Sequence, residues 1–93
     1  MNKNERKIAV ALKYDVKNND APYVIAKGKG IVADNIVEKG IDEGINIIED
    51  KVLVDHLVKL EITEEIPEEL YTAVAEILSF IYNLDKEREN NNE

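Results

Sequence analysis

The sequence predicts a single small α/β domain, a mixed sheet flanked by helices. Three observations predict it. The chain has 93 residues, the size of one domain. Two short β-branched and aliphatic runs near the N-terminus are separated by turn residues, the pattern of a hairpin. Beyond them, a stretch with helical spacing is followed by another strand-like run, an order that usually gives parallel pairing through a right-handed crossover.

Ile8 to Tyr14 (IAVALKY) has almost no polar interruption and reads as a strand buried on both faces. Asn18-Asn19-Asp20 is turn chemistry, and Pro22 disfavours helix just before it. Tyr23 to Ala26 then gives the second strand of a hairpin. Lys27-Gly28-Lys29-Gly30 breaks the pattern. Val32, Ala33, Ile36 and Val37 have helical spacing over Ile31–Lys39, with Gly40 suited to close that helix in a left-handed conformation. Ile45 to Glu49 reads as a third strand. Asp50 is positioned to cap a second helix, Lys51–Leu60, with Leu53, Leu57 and Leu60 on one side. Glu61 to Ile66 alternates and reads as a short edge strand or an extended link, which brings the sheet to about four strands. Pro67 suits the first turn of the last helix, with Glu68 and Glu69 at the positive end of its dipole. Leu70, Val74, Ile77, Leu78, Ile81 and Leu84 mark the core face of that helix. Asp85 to Glu93 is polar and is expected to fray or be disordered.

Composition narrows the function. Twelve basic residues against 20 acidic ones give a net charge of −8. Phosphate backbones recruit cationic surfaces, so this balance argues against nucleic acid and equally against an anionic membrane surface. No cysteine is present, which excludes disulfides, thiolate catalysis and cysteine-ligated metals. The charged N-terminal residues are not followed by a signal-peptide apolar core, and no apolar run approaches the roughly 20 residues that span a bilayer. The expectation is a soluble protein without membrane insertion. A chain of this length buries only roughly 60–65% of its unfolded surface, which leaves little room for a deep substrate cleft.

The candidate chemical motifs are weak. Lys27-Gly28-Lys29-Gly30 lies between a strand and a helix, where phosphate loops occur, but it has neither the longer glycine-to-lysine spacing nor the terminal Ser or Thr. It reads as a tight turn. His56 is the single histidine and sits beside Asp55 with no second nitrogen or sulfur ligand, so no metal site is expected. Ser79 has no base near it in the last helix. Glu64-Glu65 and Glu68-Glu69 read as a solvated acidic rim. No catalytic residue and no cofactor are expected. The last helix is more informative. Phe80 and Tyr82 lie off its core face, so it is apolar over more than one stripe and is expected to present a protein-binding patch.

The run Ala9-Val10-Ala11-Leu12-Lys13-Tyr14-Asp15, with Ala21-Pro22, Val24 to Gly28, Ile66-Pro67, Leu70-Tyr71, Ala73 to Glu76 and Leu78, resembles the cytoplasmic C-terminal domain of the FlhB/YscU family. These are the substrate-specificity switch proteins of flagellar and related type III export machines. The resemblance covers roughly Asn4 to Leu84, with residues 85–93 as a tail. It implies a compact domain with a four-stranded sheet. It also implies a place at the cytoplasmic face of the export gate, among other export apparatus components and rod- or hook-type substrates. Family members usually carry a large membrane domain, so this chain resembles short free-standing homologues, here expected to be monomeric.

Two departures bear on function. The family cleaves itself at Asn-Pro-Thr-His, and the matching positions here are Asn4, Glu5, Arg6 and Lys7. The asparagine is kept while the other three residues are lost, so self-cleavage is not expected. At Val52-Leu53-Val54-Asp55 flagellar members have Pro-Leu-Ala-Arg, so an arginine has become an acid that should repel an acidic partner. The family's apolar substrate patch maps onto Ala21, Pro22, Ala75 and Leu78, all of which match. The resemblance therefore implies a non-enzymatic recognition module of protein export. The alternative is a small cytoplasmic interaction adaptor of the same fold with no export role.

Overall fold

The structure is a computed structural model that describes residues 7–91. Strand β1 (Ile8–Lys13) pairs antiparallel with β2 (Tyr23–Lys29), giving the expected hairpin. A register irregularity lies between Ala11 and Leu12. Helix α1 spans Ile31–Asp42, α2 spans Lys51–Leu57, and a 3₁₀ turn over Glu68–Leu70 leads into α3, Tyr71–Asn91.

The sheet has two strands among the described residues, not about four, and contains no parallel pair. Ile45–Glu49 is extended but joins no ladder there. Its register is taken by the helix before it. Ile45 N–H donates to the Gly40 carbonyl at 2.9 Å, and the Ile47 side chain lies against the Cα of Gly40. The segment is thereby drawn back along α1, and Ile45, Ile47 and Ile48 stay exposed. Because no third or fourth strand covers it, β1 is largely half-buried instead of buried on both faces, with only Ala9 fully inside.

Helix α1 runs past Gly40, which lies inside it. The left-handed residue at its end is Gly44 (φ 73°). At the other end, Gly30 adopts φ 63° as the N-terminal cap, and Gly28 packs so closely on Val32 that a Cβ there would collide with the valine. The Lys27–Gly30 segment is thus a strand end and a tight turn.

Asp50 caps α2 as expected, its Oδ1 accepting from Leu53 N–H at 3.0 Å. The helix stops at Leu57, not Leu60. Lys27, reaching over from β2, donates its Nζ to the carbonyls of Val58 (3.1 Å) and Leu60 (2.7 Å). A cation on the terminal carbonyls suits the negative end of a helix, and residues 58–60 close as a turn beneath it.

The segment after α2 completes the scaffold. It makes a single bridge to the sheet, Tyr23 with Glu65. Around that bridge, Val24 N–H donates to Glu64 (3.0 Å), Thr63 N–H to Val24 (2.7 Å) and Ile66 N–H to Pro22 (2.9 Å). The outer edge of β2 is therefore occupied, and Val24 is completely buried. Pro67 stands just before the 3₁₀ turn, so α3 proper begins at Tyr71. Its backbone continues as helix to Asn91, beyond the end expected at Leu84, so the polar tail enters the helix there.

The core is one cluster of Ala21, Leu53, Leu57, Ile66 and Val74. Val10, Leu12, Leu60, Leu70, Ala73 and Ile77 pack around it. It unites the hairpin, α2, the 63–66 segment and α3.

Thr63 is the one non-glycine residue with positive φ (78°) among the described residues. A β-branched side chain in that region is strained by roughly 1–3 kcal/mol. The turn tolerates it because both flanking segments are anchored, Thr63 N–H on Val24 and Glu61 N–H on the Glu64 carboxylate (2.8 Å). Thr63→Gly is expected to stabilise the domain by about 1 kcal/mol after the added chain entropy of glycine is subtracted, a rise in Tm of roughly 4–8 °C. Thermal denaturation checks it, and a lowered Tm would show that the threonine side chain contributes more than its backbone costs.

Candidate functional site

The hairpin loop is held together by local hydrogen bonds. The Asp15 carboxylate accepts from Lys17 N–H (3.1 Å) and from the Asn18 side-chain amide (2.8 Å), while its carbonyl accepts from Asn18 and Asn19 N–H. The Asn18 amide, then the Lys17 N–H, hold the Asp15 carboxyl below the ordinary aspartate pKa. That contribution is present above the unfolded value near ~3.9 and is lost as the pH falls through the lowered folded value. Asn19 then donates its side-chain amide to Glu65 (3.1 Å), tying the loop to the segment that leads into α3.

This tie places Ala21 and Pro22 against α3. A cavity of about 190 Å³ opens between them. Its floor is the buried set Ala21, Pro22, Ile66 and Val74, and its walls are Tyr14, Tyr71, Ala75 and Leu78. Asp20 stands at the mouth. All four residues that the family resemblance implies for a substrate patch line this one cavity. They contribute differently. Ala21 and Pro22 are buried and shape the floor, while Ala75 and Leu78 are exposed. Leu78, which also fits the core face by spacing, stands at the cavity with 36% of its surface exposed and lies outside the core cluster.

Tyr14, Asp20, Ile66, Tyr71 and Val74 also line the cavity without having been assigned to it. Part of this was legible. Tyr71, Val74, Ala75 and Leu78 follow i, i+3, i+4, i+7 spacing and share a face of α3. The contributions of Tyr14, Asp20 and Ile66 depend on the long-range pairing of the loop with residues 63–66, which no local pattern encodes.

A broader open depression of about 540 Å³ includes Thr72, Glu76, Ser79, Phe80 and Asn83. All its lining comes from α3, so it is the outer surface of one helix and not a cleft. Phe80 and Tyr82 are exposed along that helix, as the two-stripe pattern anticipated.

The remaining candidates are dispersed. Asn4, Glu5 and Arg6 lie outside the described residues. Lys7 is described. Its Nζ pairs with Asp34 at 2.8 Å and its carbonyl accepts from Gly30 N–H at 2.8 Å, so it fastens the start of β1 to the start of α1. The hydrogen bond and charge of Asp34 raise its pKa. Asp55 and His56 are exposed on α2. No group of three or more His, Asp and Glu side chains is placed to hold a metal among the described residues, and no helix there is long and apolar enough to cross a membrane.

The fold and sequence match known proteins. Residues 3–81 match the FlhB HrpN YscU SpaS family. The chain is 51% identical over 82 residues to the uncharacterized protein YlqH of Bacillus subtilis, covering 88% of each. It is 41% identical over 81 residues to the flagellar biosynthetic protein FlhB of Escherichia coli, matching 86% of this chain but only 21% of that one. The chain thus spans about a fifth of that FlhB. Among solved structures it resembles the cytoplasmic domain of FlhB from Shewanella putrefaciens, with a TM-score of 0.83, 37% identity, and coverage of 89% of this chain and 69% of that one. A mutated EscU C-terminal domain superposes with a TM-score of 0.78 at 28% identity, over 82% of this chain and 93% of that one. The chain therefore belongs to the FlhB/HrpN/YscU/SpaS family, and the region it shares with flagellar members is their cytoplasmic domain.

Proposed function

We propose that this chain is a recognition module of a flagellar or related type III export apparatus, and that short apolar export signals dock between the hairpin loop and α3. The observation that carries the reading is the convergence of Ala21, Pro22, Ala75 and Leu78 on one cavity. Two of these positions are separated from the other two by more than 50 residues of chain, and Ile66 and Pro22, which also line the cavity, are joined by a backbone hydrogen bond of 2.9 Å. An apolar side chain entering it gains by leaving water, at about 25 cal/mol per Å² removed. The domain would work as a monomer at the cytoplasmic face of the export gate, in contact with other gate components.

The module acts by binding. With Glu5, Arg6 and Lys7 in place of the Pro-Thr-His of the self-cleavage motif, Asn4 lacks the strained Asn-Pro bond that assists expulsion of the following residue. Intact mass after prolonged incubation is expected to remain that of the full chain. A product beginning at Glu5 would contradict this.

Ala75 is exposed on α3, so a carboxylate there is compatible with folding. Ala75→Asp is expected to cost less than about 1 kcal/mol of stability, the scale of a helix-surface change. It should weaken binding of a hook-type substrate at least about tenfold, because docking would desolvate a charge against an apolar surface. Titration calorimetry with a cooperative melt as control checks it. Unchanged affinity in a folded variant would remove the docking site from this face and leave an adaptor without an export role as the better reading.

A further inference from the structure

The docking cavity is lined by apolar side chains and the phenol rings of Tyr14 and Tyr71, and Asp20 at its mouth is the one carboxylate among its lining residues. The ion pairs among the described residues join Lys7 to Asp34 and Lys39 to Glu43, and neither involves Asp20. Asn19, its neighbour, has its amide on Glu65. Lys13 and Lys17, the basic residues flanking the start of the loop, form no ion pair with Asp20 among the described residues. The residues that flank the lining ones in sequence add to the negative charge, with Glu65 beside Ile66 and Glu76 beside Ala75, both exposed. The cavity is about 190 Å³. An apolar cavity of about 150 Å³ accepts a benzene ring, so this one takes a single aromatic or aliphatic side chain.

Resting on the docking reading above, we propose that the site selects extended segments in which one apolar side chain has a Lys or Arg within two residues of it. The apolar group fills the cavity and the cation meets Asp20. Two residues of extended chain span about 7 Å, within reach of a lysine or arginine stem. An exposed pair of this kind adds little affinity, so its effect is selection among otherwise similar apolar segments. Acidic segments are turned away by Asp20 and by the net charge of −8.

Two unstructured peptides of about a dozen residues test this, each with one phenylalanine amid Gly and Ser, and with either Lys or Glu two residues after it. Binding is read from chemical-shift titration of the ¹⁵N-labelled chain at low salt. The lysine peptide is expected to bind more tightly, and Asp20→Asn to reduce that preference by roughly two- to fivefold, the size of one exposed pair. Asp42→Asn removes the same charge from the far end of α1 and is expected to keep the preference. Equal losses in the two variants would assign the effect to the general field and overturn the proposal. So would equal binding of the two peptides, while leaving the docking site standing. If neither peptide shifts the cavity residues at all, the docking reading falls and this inference with it.

Discussion

Three backbone hydrogen bonds between residues 22–24 and 63–66 hold the rest of the molecule in place. Each contributes about 1 kcal/mol net, but their geometric effect is larger. They occupy the outer edge of β2, bury Val24 completely and set Ile66 beside Pro22. Once Ile66 is placed, Pro67 and the following 3₁₀ turn aim α3 back across the hairpin loop. Val74 then completes the core, and Ala75 and Leu78 face the floor made by Ala21 and Pro22. The Asn19–Glu65 side-chain bond fastens the same junction from the loop side. Strain at Thr63 is stored where the chain turns into this pairing.

Local chemistry made much of this fold readable in the sequence. The hairpin followed from IAVALKY, Asn18-Asn19-Asp20 and Tyr23 to Ala26, and the capping of α2 from Asp50. Readings that required a neighbour fared differently. Ile45 to Glu49 has strand composition, yet composition carries no partner, and the segment is bound to the end of α1 through Gly40 and Ile45 instead. The end of α2 was misplaced because Lys27, 31 residues before Val58, accounts for its terminal carbonyls. Pro67 marked the approach to α3, but Glu68–Leu70 close as a 3₁₀ turn first, so the helix itself starts four residues after the proline, at Tyr71.

The candidate site divides along the same line. Tyr71, Val74, Ala75 and Leu78 share one helical face, which spacing alone reveals. Ala21, Pro22, Ala75 and Leu78 were assigned to a site only through resemblance to the FlhB/YscU family, and Tyr14, Asp20 and Ile66 only through the fold. A domain of this size has little interior to spare for a cleft, and it makes one by leaving the seam between two surface elements partly unfilled. Such a seam suits recognition of a side chain.

The account centres on that seam as the place where an export signal docks. Backbone amide shifts of the ¹⁵N-labelled chain, titrated with the N-terminal segment of a rod- or hook-type export substrate, test it most directly. The account predicts that the largest shifts fall on residues 20–22, on Ile66 and on the Tyr71–Leu78 face of α3, saturating together. Shifts confined to α1 and the 45–49 segment, or to the outer face of α3 around Phe80, would contradict it.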